Sequence, residues 1–202
     1  MRKVTDKDLI ELLRSIDPYI SGKVYLIAIG GTALTLLELK PSTLDIDLNL
    51  PREEDSQKIR KLFRELDFER INRNKWISPN GLIIDLCDLD YIFCVQLPES
   101  SIENSVPIKE FEHISLKALN LYDLIISKLA RSETKDMDDI ITVFQNRKIN
   151  PEKLFHRYRR TMEFSLVKDA KENILMLFRE LKSKKIAHIR DELLKEVEEW
   201  NP

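Results

Sequence analysis

The sequence predicts an α/β (α+β) fold followed by a helical C-terminal region, on three observations. VYLIAIGG, residues 24–31, is a continuous apolar, β-branched run closed by two glycines, the pattern of a strand buried on both faces. LDIDLNL, residues 44–50, sets Leu44, Ile46, Leu48 and Leu50 against Asp45, Asp47 and Asn49, the period of a half-buried strand. Beyond about residue 115 only helical patterns recur.

Taken in order, residues 6–16 place Leu9, Ile10, Leu12, Leu13 and Ile16 at helical spacing, and Asp17-Pro18 ends that helix. After the first strand, TALTLLEL is rich in helix formers and Pro41 stops it. Residues 52–66 form a second amphipathic helix on Ile59, Leu62, Phe63 and Leu66. DFERIN, KWIS and GLIIDLC then read as short strands, the last two joined by the turn Pro79-Asn80-Gly81. Five helices follow: NLYDLIISKLARS, with Asn120 and Asp123 as a capping box, then DMDDIITVFQN, PEKLFHRYRR, VKDAKENILMLFRELKS and RDELLKEVEEW. The expected division is an α/β domain over residues 1–114 and a helical region over 115–202 packed on it.

Composition narrows the function classes. With 202 residues, 43% of them hydrophobic, the chain has enough apolar surface for a core and is not a disordered chain. Thirty-three basic residues against 35 acidic ones exclude a histone-like polycation. Two cysteines make no disulfide framework, and with 3 histidines they are too few for a structural zinc site. The N-terminus carries a charge every few residues and does not read as a secretory signal, and no apolar run suits a membrane span. The expectation is a soluble protein of the cytoplasm with no membrane partner.

Chemistry concentrates at a few positions. Gly30 and Gly31, two of only four glycines, stand where a strand gives way to a helix. Free N–H groups at such a turn cradle phosphate oxygens, although a tight turn needs the same glycines with no ligand. Asp45 and Asp47 project from one face of a strand at ~7 Å spacing, where two like charges repel. A hard divalent cation relieves that repulsion; so does plain solvent at a sheet edge. Asp85, between Ile84 and Leu86 in an apolar strand, is the preferred third acid over Asp88 and Asp90. If its strand lies beside that of Asp45 and Asp47, three carboxylates can hold two metal ions about 4 Å apart.

The stretch IAIGGTALTLLELKPSTLDIDLNL resembles the signature of the DNA polymerase β-like nucleotidyltransferases: a Gly-Gly or Gly-Ser turn, a helix, Asp-x-Asp, then a later aspartate. The chain is most similar to small prokaryotic nucleotidyltransferase-like proteins related to the abortive-infection type IV toxins. Their later helix carries Lys and then an Arg/Lys-Asp-x-x-Asp run, matched here by Ser127-Lys128-Leu129-Ala130-Arg131 and Lys135-Asp136-Met137-Asp138-Asp139-Ile140. Lys40, Pro41 and Ser42 stand where relatives often have Arg, and Gly31-Thr32 where many have Gly-Ser.

The resemblance implies a nucleotidyltransferase-fold mixed sheet with flanking helices. It implies an enzyme moving a nucleoside monophosphate from an NTP to a hydroxyl of RNA (tRNA), a protein or a small molecule. Gly30, Gly31 and Thr32 would bind the β- and γ-phosphates, Asp45, Asp47 and Asp85 two Mg²⁺ ions, and Lys128 the triphosphate charge, with Asp136 near the nucleotide. The toxin half of a toxin–antitoxin pair is one implied role, with an antitoxin or a second copy as partner. The alternative is a catalytically inactive binding or interaction protein of the same fold. By composition alone Lys128 is an ordinary helix lysine, Asp136 a helix-capping acid, and His156-Arg157-Tyr158-Arg159-Arg160 either a solvated helix face or a contact for nucleic-acid phosphates.

Overall fold

The computed structural model describes residues 2–88, 91–92, 95–98 and 100–202. Two compact units divide the chain: residues 1–92 with 99–120, and residues 93–98 with 121–202. None of the described helices is long and apolar enough to cross a membrane.

The first unit is built on a mixed seven-stranded sheet. Its strands are β1 (Val24–Ala28), β2 (Ile46–Leu50), β3 (Glu69–Arg70), β4 (Lys75–Ile77), β5 (Ile83–Asp88), β8 (Val106–Glu110) and β9 (Ile114–Ala118), in the order β3-β4-β5-β2-β1-β9-β8. Short strands β6 (Tyr91–Ile92) and β7 (Val95–Gln96) fall between β5 and β8 in the sequence. The pairs β1·β9 and β2·β5 are parallel; β1·β2, β3·β4, β4·β5 and β8·β9 are antiparallel.

Helix α1 (Asp6–Ile16) starts on a capping box between Thr5 and Asp8 and buries Leu9, Leu12, Leu13 and Ile16, as its spacing predicts. Helix α3 (Glu53–Glu65) lies where residues 52–66 place it, while α2 (Gly30–Leu36) begins at the glycines, before TALTLLEL, and ends at Leu36, ahead of Pro41. On α3, Phe63 stacks on Phe68 at 4.2 Å and meets the buried Trp76 edge-on at 5.6 Å. Buried Asp55 in its first turn accepts from the Tyr25 N–H at 3.1 Å and from Arg52 at 2.7 Å, tying α3 to β1.

Three details differ from the sequence pattern. Tyr25 in β1 is 39% exposed, its ring lying 4.3 Å beneath the Arg52 guanidinium, so this strand is not buried along both faces. Leu44 is exposed, because Thr43 pairs with Val4 through two 2.8 Å backbone hydrogen bonds and the chain bends before β2 begins at Ile46. Strands β8 and β9 have no strong signal: β8 is largely exposed and carries Pro107, and β9 buries neighbouring residues without an apolar–polar alternation. β9 lies beside β1 in a parallel ladder, and buried Asp17 anchors its start, its carboxylate accepting from the N–H groups of His113 (3.0 Å) and Ile114 (2.8 Å). With β9 and residues 119–120 in the first unit, the division falls after Asn120. One further short helix, α4 (Ser100–Glu103), precedes β8.

The second unit carries the five expected helices: α5 (Leu121–Arg131), α6 (Thr134–Asn146), α7 (Pro151–Met162), α8 (Ala170–Ser183) and α9 (Asp191–Glu199). Asn150 caps α7 by accepting from the Lys153 N–H at 2.7 Å, with Pro151 at the first helical position. Leu154, Phe155, Tyr158, Ile174, Leu177, Phe178, Leu181 and Val197 form its core, and Trp200 meets the Phe155 and Tyr158 rings edge-on.

Candidate functional site

The two neighbouring glycines have different reasons. Gly30 has φ 55°, a left-handed conformation that a side chain resists, and it turns the chain from extended Ile29 into α2. Gly31 is a matter of space: a Cβ there would stand 2.5 Å from Thr43 Oγ1 and 3.2 Å from Thr43 Cβ. Thr32 is buried, and its hydroxyl donates to the Asp45 carbonyl (3.2 Å) while accepting from the Asp47 N–H (2.9 Å). The Ile29 N–H donates to the Asp47 carbonyl at 3.1 Å. The glycine turn and the Asp45–Asp47 segment are therefore stitched together by backbone and hydroxyl, and the one Thr32 O–H proton serves that joint.

Asp45 stands at the bend before β2 and Asp47 within the strand, both half-buried. In the parallel β2·β5 pair, Asp47 is the register partner of Asp85. Register partners share a sheet face on strands about 4.8 Å apart, so the two carboxylates leave the sheet side by side. Ile46, Leu48, Ile84 and Leu86 are fully buried on the opposite face, and that burial fixes which way the acids point. Asp88 points with Leu86 and is engaged there, accepting from Ser56 (2.7 Å) and from Arg60 (2.9 Å to each oxygen). Asp90 lies outside the described residues.

Lys75 continues the row. It is the register partner of Asp85 across β4·β5, with its Nζ 3.6 Å from Asp85 Oδ2. Nothing in the residue pattern alone singles it out. The signal that finds it is the turn at Pro79-Asn80-Gly81: counting outward from it pairs Ile77 with Ile83 and therefore Lys75 with Asp85. Among the described residues, no three His, Cys, Asp or Glu side chains stand close enough to form a ready-made metal cage. The donor set is nevertheless one of hard carboxylate oxygens, the kind Mg²⁺ takes, with two of the three acids in direct register.

Lys128 and Asp136 belong to the second unit, in a buried network of their own. Lys128 Nζ lies 3.0 Å from Asp136 and 2.8 Å from Asp139, and Arg131 donates to both oxygens of Asp136 at 2.7 and 2.8 Å. Lys128 and Asp136 are both almost fully buried. Burial by itself would raise the Asp136 carboxyl; the hydrogen bonds from Arg131 and the charge of Lys128 outweigh it and hold the group below its ordinary value. Two residues of the basic stretch on α7 are likewise engaged: Arg157 with buried Asp123 (2.5 and 2.7 Å), and Tyr158, whose hydroxyl donates to the Ala170 carbonyl (2.9 Å).

The signature of a family described as nucleotidyltransferase of unknown function (DUF6036) matches residues 6–186. No curated protein matches the chain. Solved structures resemble it, two of them as follows. A candidate nucleotidyltransferase from Thermotoga maritima superposes with a TM-score of 0.47 at 15% identity, over 67% of this chain and 91% of its own. ANT(2")-Ia, solved in complex with adenylyl-2"-tobramycin, superposes with a TM-score of 0.51 at 12% identity, over 77% of this chain and 95% of its own. At that identity the likeness to ANT(2")-Ia concerns the fold.

Proposed function

The chain belongs to the DUF6036 family of nucleotidyltransferases, and on that premise we propose that it transfers a nucleoside monophosphate from an NTP to an acceptor hydroxyl with Mg²⁺ at Asp45, Asp47 and Asp85. One observation carries the assignment of the site: the register that sets Asp47 beside Asp85, on a strand bonded directly to the Gly30–Gly31 turn. Bound there, Mg²⁺ would supply charge neutralisation for the phosphates and acidify the attacking hydroxyl.

The chain's own groups do the positioning. The turn at Gly30 and Gly31, packed against Thr43 on the side where Gly31 lacks a Cβ, would offer its backbone N–H groups to the phosphates. Thr32 fixes the Asp45–Asp47 backbone to that turn, so the carboxylates and the turn keep one spacing. Chemistry of this kind depends on alignment and charge more than on proton transfer by side chains. A small hydroxylated acceptor is supported by ANT(2")-Ia, whose complex holds an adenylylated tobramycin. An RNA end or a protein hydroxyl, as for a toxin held in check by an antitoxin, is the acceptor that the toxin-related motifs suggest.

The test is incubation of the full chain with labelled NTPs and Mg²⁺ in three arms: total tRNA, a protein extract and a panel of hydroxylated small molecules. Label should appear in one arm and vanish with EDTA and in D47N and D85N, which should keep the wild-type circular dichroism. Transfer that persists in both variants sinks the site. Mg²⁺-dependent NTP binding with no transfer in any arm makes the chain a nucleotide-binding module instead.

A further inference from the structure

We propose that Lys75 is a positioning residue whose ammonium occupies the Asp85 carboxylate in the metal-free protein and competes with the divalent ion for it. The inference rests on the metal reading above and adds to it a residue outside the recognised motifs.

Asp47, Asp85 and Lys75 are consecutive register partners across β2, β5 and β4, so they stand in one row on one sheet face. Asp45, two residues before Asp47, is a third acid at the bend that precedes β2, outside that row. Like charges at this spacing repel, and the Lys75 ammonium at one end of the row offsets the repulsion. The Lys75–Asp85 pair is built to be displaced. Its 3.6 Å separation exceeds a hydrogen bond, and the two side chains are 34% and 31% exposed. Lys128 shows the contrasting design, 2% exposed and hydrogen-bonded to two aspartates at 2.8 and 3.0 Å. A partly solvated ammonium at 3.6 Å yields to a divalent ion that bonds carboxylate oxygen directly at about 2.1 Å. While it remains, it both shields Asp85 and repels the incoming cation.

The experiment is Mn²⁺ binding to the full chain, followed by electron paramagnetic resonance with and without a non-hydrolysable NTP. It compares wild type, K75M, K75R and K75M/D85N. K75M should bind Mn²⁺ about five- to ten-fold more tightly than wild type, the scale of one partly screened charge pair. K75R should stay within about two-fold of wild type, because it restores the charge. The gain should disappear in K75M/D85N. A merely structural lysine would change the melting temperature and leave Mn²⁺ affinity alone. Equal Mn²⁺ affinity in wild type and K75M, whether both bind or neither does, overturns the role of Lys75. The proposed activity is judged separately, by the transfer assay on the wild type.

Discussion

Thr32 joins two backbone segments with a single hydroxyl. Replacing it with Val keeps the volume but leaves the Asp47 N–H and the Asp45 carbonyl without that partner in a buried place. T32V should lose about 1–3 kcal/mol in denaturant unfolding, while T32S should lose much less. Gly31 tests space rather than bonding. G31A drives a methyl to within 2.5 Å of the Thr43 hydroxyl and 3.2 Å of its Cβ. Thr43 is β-branched and held by Val4, so it cannot swing clear without disturbing its own backbone pairing. A cost of about 1–3 kcal/mol is expected, read from the same unfolding curves.

At the scale of elements, α5 and α6 are joined by charge. Lys128 and Arg131 on α5 converge on Asp136 of α6, and Asp139 completes the set. D136N would leave the buried Lys128 ammonium with Asp139 as its remaining carboxylate in this set, and should destabilise the protein by about 3–5 kcal/mol at pH 7. The sign of its pH dependence follows from the lowered pKa of Asp136. The stabilisation is fully present above the unfolded value of about 3.9 and is lost as pH falls through the lower folded value. Unfolding curves at pH 7, 5 and 3 should therefore show a constant gap between wild type and D136N at the upper two. At pH 3 the gap should begin to close. A gap that closes between pH 7 and 5 would mean that another group carries the coupling.

For the whole molecule, ligand binding should register as stability. A ligand that binds only the folded chain adds about 2.7 kcal/mol at a hundred times its dissociation constant. Mg²⁺ with a non-hydrolysable NTP should raise the melting temperature of the wild type, and D47N should abolish the rise. A rise that survives in D47N would place the nucleotide elsewhere on the chain.

Several features of this protein are legible along the chain because local periodicity carries them. The helices from α1 to α9 that bear an apolar stripe, β1, β2, the β4–β5 turn, and the Gly-Gly and Asp-x-Asp motifs are of this kind. The turn at Pro79-Asn80-Gly81 even contained the pairing of Lys75 with Asp85, since hairpin register is symmetric about its loop. Other features depend on contacts between distant residues. Asp47 meets Asp85 only because β5 enters the sheet beside β2 and parallel to it. β8 and β9 reach the sheet through the pairing of β9 with distant β1, and Asp17, nearly a hundred residues earlier, satisfies the N–H groups where β9 begins. The ion network around Lys128 likewise forms only when two helices meet. Sequence determines which groups exist and which face each presents, through propensity and period; the tertiary structure decides which of them meet, because the burial and hydrogen bonds that select one pairing act between segments the chain order keeps apart.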